Sequence, residues 1–438
     1  MPEPIDLLIE PRWLIPVEPR GQVLEGHAVA ITGGRIVALL PAAEARLHYQ
    51  PRQHVELPQQ VLIPGLVNLH THAAMALLRG IADDLPLQSW LKTRIWPAEA
   101  RHVSAAFVRD GSLLACAEML RGGITCFSDM YFFPEAAAEA AQTLGMRAAL
   151  GLVVIEFPTA YATDADDYLR KGLAARDRLR GTPRLTFTLA PHAPYTVADR
   201  TFERIATLAA QLDLPVHVHI HETRGEIEES LAVHGVRPIE RLRRLGLLGP
   251  GLVGVHAVHL DEAEIALLAE QGCSVAHCPT SNMKLASGIA PLARLVGDGV
   301  RIGLGSDGAA SNNRFDLFQE MRHAGLLAKV ASGDAALLDA HALLRMATIE
   351  GATALALDDR IGSIAPGKAA DLCAVRLDTI ETLPCYDPAS HLIYAAGREH
   401  VTHVWVDGEL RCENGCFPGY DATRLIATAN LWQNKLSS

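Results

Sequence analysis

From Val61 onward the chain repeats one unit. Short apolar runs (VLIPGLVNL, RAALGLVVI, RLTFTLA, PVHVHIH, GLVGVHAV, CSVAHC, RIGLGSD) alternate with amphipathic, alanine-rich stretches such as AAFVRDGSLLACAEMLRG and TFERIATLAAQL. Repeated strand–helix units suit strands buried on both faces, and parallel strands need a covering crossover between them. The repeat therefore predicts an α/β chain with a parallel sheet. Its units are numerous enough to close a TIM-like (β/α)8 barrel, which we expect over residues 61–364.

The flanks have a different texture. Residues 1–60 read as short strands (DLLIE, HAVAITGGRIVALL, HVEL), with Gly33-Gly34 as a hairpin signal between apolar runs. Residues 365–420 return to strands, in DLCAVRL and HVTHVWVDGEL. Neither flank is long enough to stand alone, so the two are expected to pair into one small composite β-sandwich beside the barrel. Residues 421–438 read as a C-terminal helix and a frayed tail.

Bulk properties exclude several classes of function. Apolar residues make up 49% of the 438, enough for a large core, which argues against a disordered chain. A formal net charge of -11 with no run of six like charges argues against a nucleic-acid partner. No apolar stretch reaches the roughly 20 residues needed to cross a bilayer. The opening MPEPIDLLIE carries acids where an export signal needs a basic region, so a cytoplasmic chain with reduced cysteines is expected. Cys412 and Cys416 have the spacing of half a metal site, but no second pair matches them.

Histidines gather at the ends of the predicted strands. His70 and His72 close VLIPGLVNL, and side chains at i and i+2 point to one face of a strand. In a barrel that face is the interior, and the C-terminal strand ends form the active-site mouth. By the same alternation His217, His219 and His221 share one face of PVHVHIH, with Glu222 at its end. His256 ends GLVGVHAV, and Asp307 ends RIGLGSD. Alone, each has a plain structural explanation: a core histidine, a loop histidine, a helix cap. Together, at four successive strand ends, they predict a metal site, because neutral imidazoles and carboxylates are the ligands of zinc-class ions. Any of His217, His219 and His221 can supply the third imidazole on this reading. The same GLGSDG segment satisfies G-x-G-x-x-G, a dinucleotide fingerprint, but that reading leaves the histidines unexplained.

These residues resemble the amidohydrolase superfamily: His70-Thr71-His72 after PGLVN, His219 with Glu222 three residues on, His256, and Gly305-Ser306-Asp307-Gly308, with IGSIAPGKAADL near the C-terminal flank. The segments QSWLKTRIWPAEA, APHAPYT, CPTSNMKLASG and GSDGAASNN further resemble the 5′-methylthioadenosine/S-adenosylhomocysteine deaminases.

The resemblance implies a soluble, cytoplasmic homo-oligomer that hydrolyses ammonia from a nucleoside's adenine ring. It implies one divalent ion, Zn2+ with Fe2+ and Mn2+ as alternatives, held by His70, His72, His219 and Asp307; no lysine stands where binuclear relatives carry one. It implies that Glu222 protonates the ring nitrogen, that His256 orients the attacking water, and that Asp307 takes the water's proton. It also implies substrate contacts: Glu99 with ribose hydroxyls, His192 with the nucleoside, and Trp90 with the methylthio group. One departure matters. Relatives that accept S-adenosylhomocysteine place an arginine near the strand that here reads GLVVIEF. Residues 151–157 contain none, and Arg147 precedes them. A carboxylate loses its bidentate partner there, which favours 5′-methylthioadenosine. Guanine, cytosine and triazine remain the alternative rings, since barrel loops rather than the metal set choose the substrate. The zinc deaminase pattern H-x-E with P-C-x-x-C is absent.

Overall fold

The computed structural model describes residues 1–437; Ser438, the last residue of the expected tail, lies outside them. Eight parallel strands run in chain order around a barrel: β1 (Leu66–Thr71), β2 (Ile124–Asp129), β3 (Arg147–Val154), β4 (Leu185–Pro191), β5 (Val216–Ile220), β6 (Leu252–His256), β7 (Ser274–His277) and β8 (Arg301–Leu304). Helices lie between them, including Ala105–Arg121 and Asp199–Leu212 where the amphipathic period placed them. The first is started by the Ser104 hydroxyl, which accepts from the Phe107 amide. Strand residues of β1, β2 and β3 are buried throughout, as strands covered on both faces must be.

The seam between β8 and β1 is closed by single bonds. The Asp307 amide donates to the His70 carbonyl at 3.0 Å, and the Ser306 amide to the Asn68 side-chain oxygen at 2.9 Å. This seam explains the glycine fingerprint. A Cβ at Gly303 would come within 2.6 Å of Leu69, and one at Gly305 within 2.8 Å of the His70 Cβ. These glycines let two strands approach; they do not cradle a phosphate.

Both flanks join one eight-stranded sheet, ordered Glu409–Glu413, Val401–Val406, Leu372–Arg376, Tyr49–Pro64, Glu3–Leu14, His27–Thr32 and Arg35–Pro41, with Leu24–Glu25 paired to Glu3–Leu14. Tyr49–Pro64 lies at its centre, parallel to Glu3–Leu14 and antiparallel to Leu372–Arg376, so neither flank forms the sheet alone. Gly33 and Gly34 make the predicted hairpin, both at positive φ. The run VLIPGLVNL, expected as one barrel strand, is divided at Gly65: Val61–Pro64 pair with the terminal sheet, and β1 begins at Leu66. A Cβ at Gly65 would sit 2.2 Å from the Thr125 hydroxyl, so the chain crosses between sheet and barrel where only glycine fits.

Arg147, at the start of β3, fastens barrel to sheet. Its guanidinium pairs bidentately with Asp371 (3.1 and 3.0 Å) and with Asp407 (2.7 Å), and the side chain is 2% exposed. The C-terminal helix Thr423–Ser437 packs Trp432 edge-on against Phe107. Among the described residues no helix is long and apolar enough to cross a membrane.

Candidate active site

The C-terminal ends of β1, β5, β6 and β8 bring His70, His72, His219, His256, Glu222 and Asp307 together. Donor atoms of His70, His72 and His219 lie within 4.8 Å of one another, as do those of His70, His256 and Asp307. The orientation of each ring follows from its other nitrogen. His72 Nδ1 lies 2.6 Å from the Met130 carbonyl, and His219 Nδ1 lies 2.7 Å from the His192 carbonyl. A carbonyl only accepts, so each Nδ1 carries the proton and each Nε2 presents a lone pair. His70 and His219 face each other through Nε2 at 3.2 Å. Asp307 Oδ1 is 3.4 Å from His70 Nε2 and 3.3 Å from His72 Nε2. Burial pushes the His70 pKa down to about 4 and holds His219 well below the ordinary histidine range, so both rings are neutral at pH 7. Neutral imidazoles with fixed tautomers beside a carboxylate form a donor set that fits a zinc-class cation.

The carboxylates are held differently. Asp307 stands at φ +60°, a strained conformation for a non-glycine residue. Ser281 and Ser311 donate to its Oδ2 at 2.6 and 2.8 Å, and the Gly308 amide donates to its Oδ1 at 2.7 Å. Glu222 is 6% exposed, with its carboxyl raised above the usual range by burial. The Ser287 hydroxyl donates to it at 3.3 Å, and His256 Nε2 lies 3.7 Å away. Buried Glu226 accepts the amides of His221 and Glu222 at 3.0 and 2.9 Å and so fixes the turn that carries Glu222. His256, also at positive φ, places Nδ1 2.8 Å from the Asn282 side-chain oxygen, which commits its proton there and turns Nε2 toward Glu222.

These groups open on a cavity of about 300 Å³. Glu99, expected as a substrate contact on the helix Trp96–His102, lines it. The Tyr131 hydroxyl donates to Glu99 at 2.6 Å, and burial raises the Glu99 pKa to about 7. His192, just past β4, also lines the cavity, its ring 5.0 Å from that of His219. Trp90 presents its ring to the same space and anchors its indole N–H on the Ala82 carbonyl at 3.0 Å. Leu91, Phe132, Val153, Ile155 and Phe157 add an apolar wall, and among the described lining residues none is lysine or arginine. Arg147 is at the opposite end of β3, taken up by Asp371 and Asp407.

One expected arrangement fails. His221 does not share the inward face of His217 and His219, because β5 ends at Ile220 and His221 turns to φ +53°. Its Nδ1 lies 3.2 Å from the His259 carbonyl, and its Nε2 accepts the Ile239 amide at 3.2 Å. Sequence reading also missed Tyr131, Ser281, Asn282 and Ser311. Three of these lie in CPTSNMKLASG and GSDGAASNN, where a polar cluster beside a strand end was the available signal; nothing in the sequence marks Tyr131.

Comparison with known proteins places this arrangement. The pattern of the Amidohydrolase family matches residues 61–411. A protein of Teredinibacter turnerae named 5-methylthioadenosine/S-adenosylhomocysteine deaminase is 45% identical over 434 residues, 99% of this chain and 98% of that one. The crystal structure of an adenosine deaminase from Xanthomonas campestris with bound zinc superposes with a TM-score of 0.98 at 50% identity, covering 100% of both chains. An atrazine chlorohydrolase from Arthrobacter aurescens TC1 complexed with zinc superposes at 0.90 with 26% identity, covering 97% of this chain and 99% of that one.

Proposed function

The chain belongs to the amidohydrolase family, and on that premise we propose that it is a metal-dependent deaminase releasing ammonia from the adenine ring of 5′-methylthioadenosine. The observation that carries the substrate choice is the shape of the cavity. Its proton-transfer groups sit at the strand ends, Glu99 stands in its wall for the ribose hydroxyls, and Leu91, Phe132, Val153, Ile155 and Phe157 form an apolar stretch of wall, with no lysine or arginine among the described lining residues to receive an amino-acid carboxylate. A neutral methylthio group suits that wall; a zwitterionic homocysteine tail would lose its hydration without a partner.

His70, His72, His219 and Asp307 are the residues that would hold the ion. When bound, such an ion supplies Lewis-acid activation of water at neutral pH. Glu222, whose carboxyl burial raises above its ordinary range, is the group placed to donate a proton to the ring nitrogen next to the carbon under attack. His256 presents Nε2 to orient the attacking water, since Asn282 holds its other nitrogen. Asp307 accepts the water's proton at the oxygen facing the histidines, while Ser281 and Ser311 keep its second oxygen fixed. Return of that proton to the exocyclic amine lets ammonia leave, and the hydroxyl proton left on the attacked carbon's oxygen passes to Glu222, so the ring ends as C=O with N–H and Glu222 is protonated again. His192 orients the purine, and Trp90 packs against the methylthio end.

The same reading has the enzyme self-associate in the cytoplasm. Ile380 (93% exposed) and Tyr386 (90%) offer apolar surface for association, and eight unpaired cysteines suit a reducing compartment. Light scattering tests the assembly. The activity is tested by ammonia release from zinc-loaded protein with 5′-methylthioadenosine, adenosine, S-adenosylhomocysteine, guanine, cytosine and a triazine side by side. Fastest release from the methylthio nucleoside is expected; preference for another ring would overturn the substrate assignment.

A further inference from the structure

We propose that His217, which the ligand set does not use, is a positioning residue that fixes the tautomer of His70 through a hydrogen-bonded strut across the barrel. The inference rests on the assignment of His70 as a metal ligand. His217 stands two residues before His219 on β5 and is 1% exposed. Its Nε2 lies 3.1 Å from Nδ1 of His70 on β1, and its Nδ1 lies 3.3 Å from Oγ of Ser128 on β2. The His70 and His217 rings meet edge-on, 5.0 Å apart at 89°.

His70 differs in this from His72 and His219. Those two rest Nδ1 on backbone carbonyls, which only accept, so their tautomer is settled by the main chain. His70 alone rests Nδ1 on another imidazole, whose nitrogen donates or accepts according to its own proton. For His70 Nε2 to offer a lone pair, Nδ1 must carry the proton and His217 Nε2 must accept it. Neutral His217 then keeps its proton on Nδ1 and gives it to the Ser128 hydroxyl. The strut is satisfied with a metal-binding His70 only in this direction. A hydroxyl at the far end accepts that proton, so three strands jointly set which nitrogen of His70 faces the cation. Supporting partners of this kind typically change metal affinity by about 10–100-fold when removed.

The test is zinc affinity of the full-length protein by chelator competition, with thermal unfolding of the zinc-free form recorded beside it. His217→Phe fills the space but cannot accept a proton, and zinc binding is expected to weaken by about 10–100-fold. His217→Gln retains an acceptor oxygen and is expected to restore most of that loss. Ser128→Ala removes the end of the strut and is expected to weaken zinc in the same direction by less; it decides the matter if His217→Phe does not fold. Zinc affinity unchanged in His217→Phe or in Ser128→Ala, or equal loss in Phe and Gln variants whose zinc-free forms melt alike, overturns the role of His217 and leaves the ligand set standing. His70→Ala binding zinc as tightly as the unsubstituted chain would instead remove the ligand assignment, and the strut with it.

Discussion

Tyr131 donates its hydroxyl proton to Glu99 at 2.6 Å, joining residues 32 apart in sequence on one wall of the cavity. The Glu99 carboxyl is raised to about 7, because the effect of burial outweighs the Tyr131 hydrogen bond that lowers it. The ionised form is the one that accepts two hydroxyl protons from a ribose. KM for a nucleoside should therefore fall as pH rises from 6 to 8, with a midpoint at or below about 7, because a cation at the histidines further favours the carboxylate. Tyr131→Phe removes a stabilising donor, so the midpoint moves upward and KM at pH 7 rises by about tenfold, with kcat changed less. Steady-state kinetics across pH check this; an unmoved KM profile would remove Glu99 from substrate binding.

Glu222→Gln and Asp307→Asn keep shape and lose the proton chemistry. Each should lower kcat by about 10²–10⁴-fold. Glu222→Gln should retain its zinc and its melting temperature, since Ser287 still finds an oxygen acceptor. Near-normal turnover in either variant would withdraw the role given to that residue.

The histidine cluster was partly legible because strand alternation is rigid: His217 and His219, both within β5, cannot face opposite sides of a continuous strand, whereas His72 lies just past the end of β1 and the choice of His219 as the ligand came from the family resemblance. That logic failed at His221, since alternation stops where the strand stops and the turn is set by the buried Glu226. The break at Gly65 was hidden because an apolar run reads alike in a terminal sheet and in a barrel. Tyr131 and Ser311 act across loops, and no periodicity couples such positions. The composite sheet was foreseeable from two short flanks of like texture, but the central position of Tyr49–Pro64 was not, because pairing partners depend on closure over more than 300 residues.

Phe157 is 37% exposed, lines the cavity, and lies within the segment that lacks an arginine. Its exposure lets a longer side chain be accommodated. Phe157→Arg should raise kcat/KM for S-adenosylhomocysteine by about tenfold, the contribution of a charge-assisted carboxylate contact of roughly 1.4 kcal/mol. Turnover of 5′-methylthioadenosine should fall modestly as apolar wall is lost. If the unsubstituted chain already prefers the homocysteine nucleoside, the missing cation does not set specificity.

Arg147 is one of the contacts that join the barrel to the terminal sheet. It is 2% exposed, and its partner Asp371 is equally enclosed, so removing the guanidinium leaves a buried carboxylate without its counter-ion. Arg147→Met should destabilise the protein by about 3–5 kcal/mol, the usual cost of breaking one side of a buried pair. Asp371→Asn in the same background should recover part of that loss by removing the stranded charge. Urea unfolding of the single and double variants measures both. Because the pair lies at the opposite end of β3 from the cavity, kcat of the folded fraction should stay unchanged. A loss below about 1 kcal/mol in Arg147→Met would show that Asp371 is solvated and that the sheet does not brace the barrel through this contact.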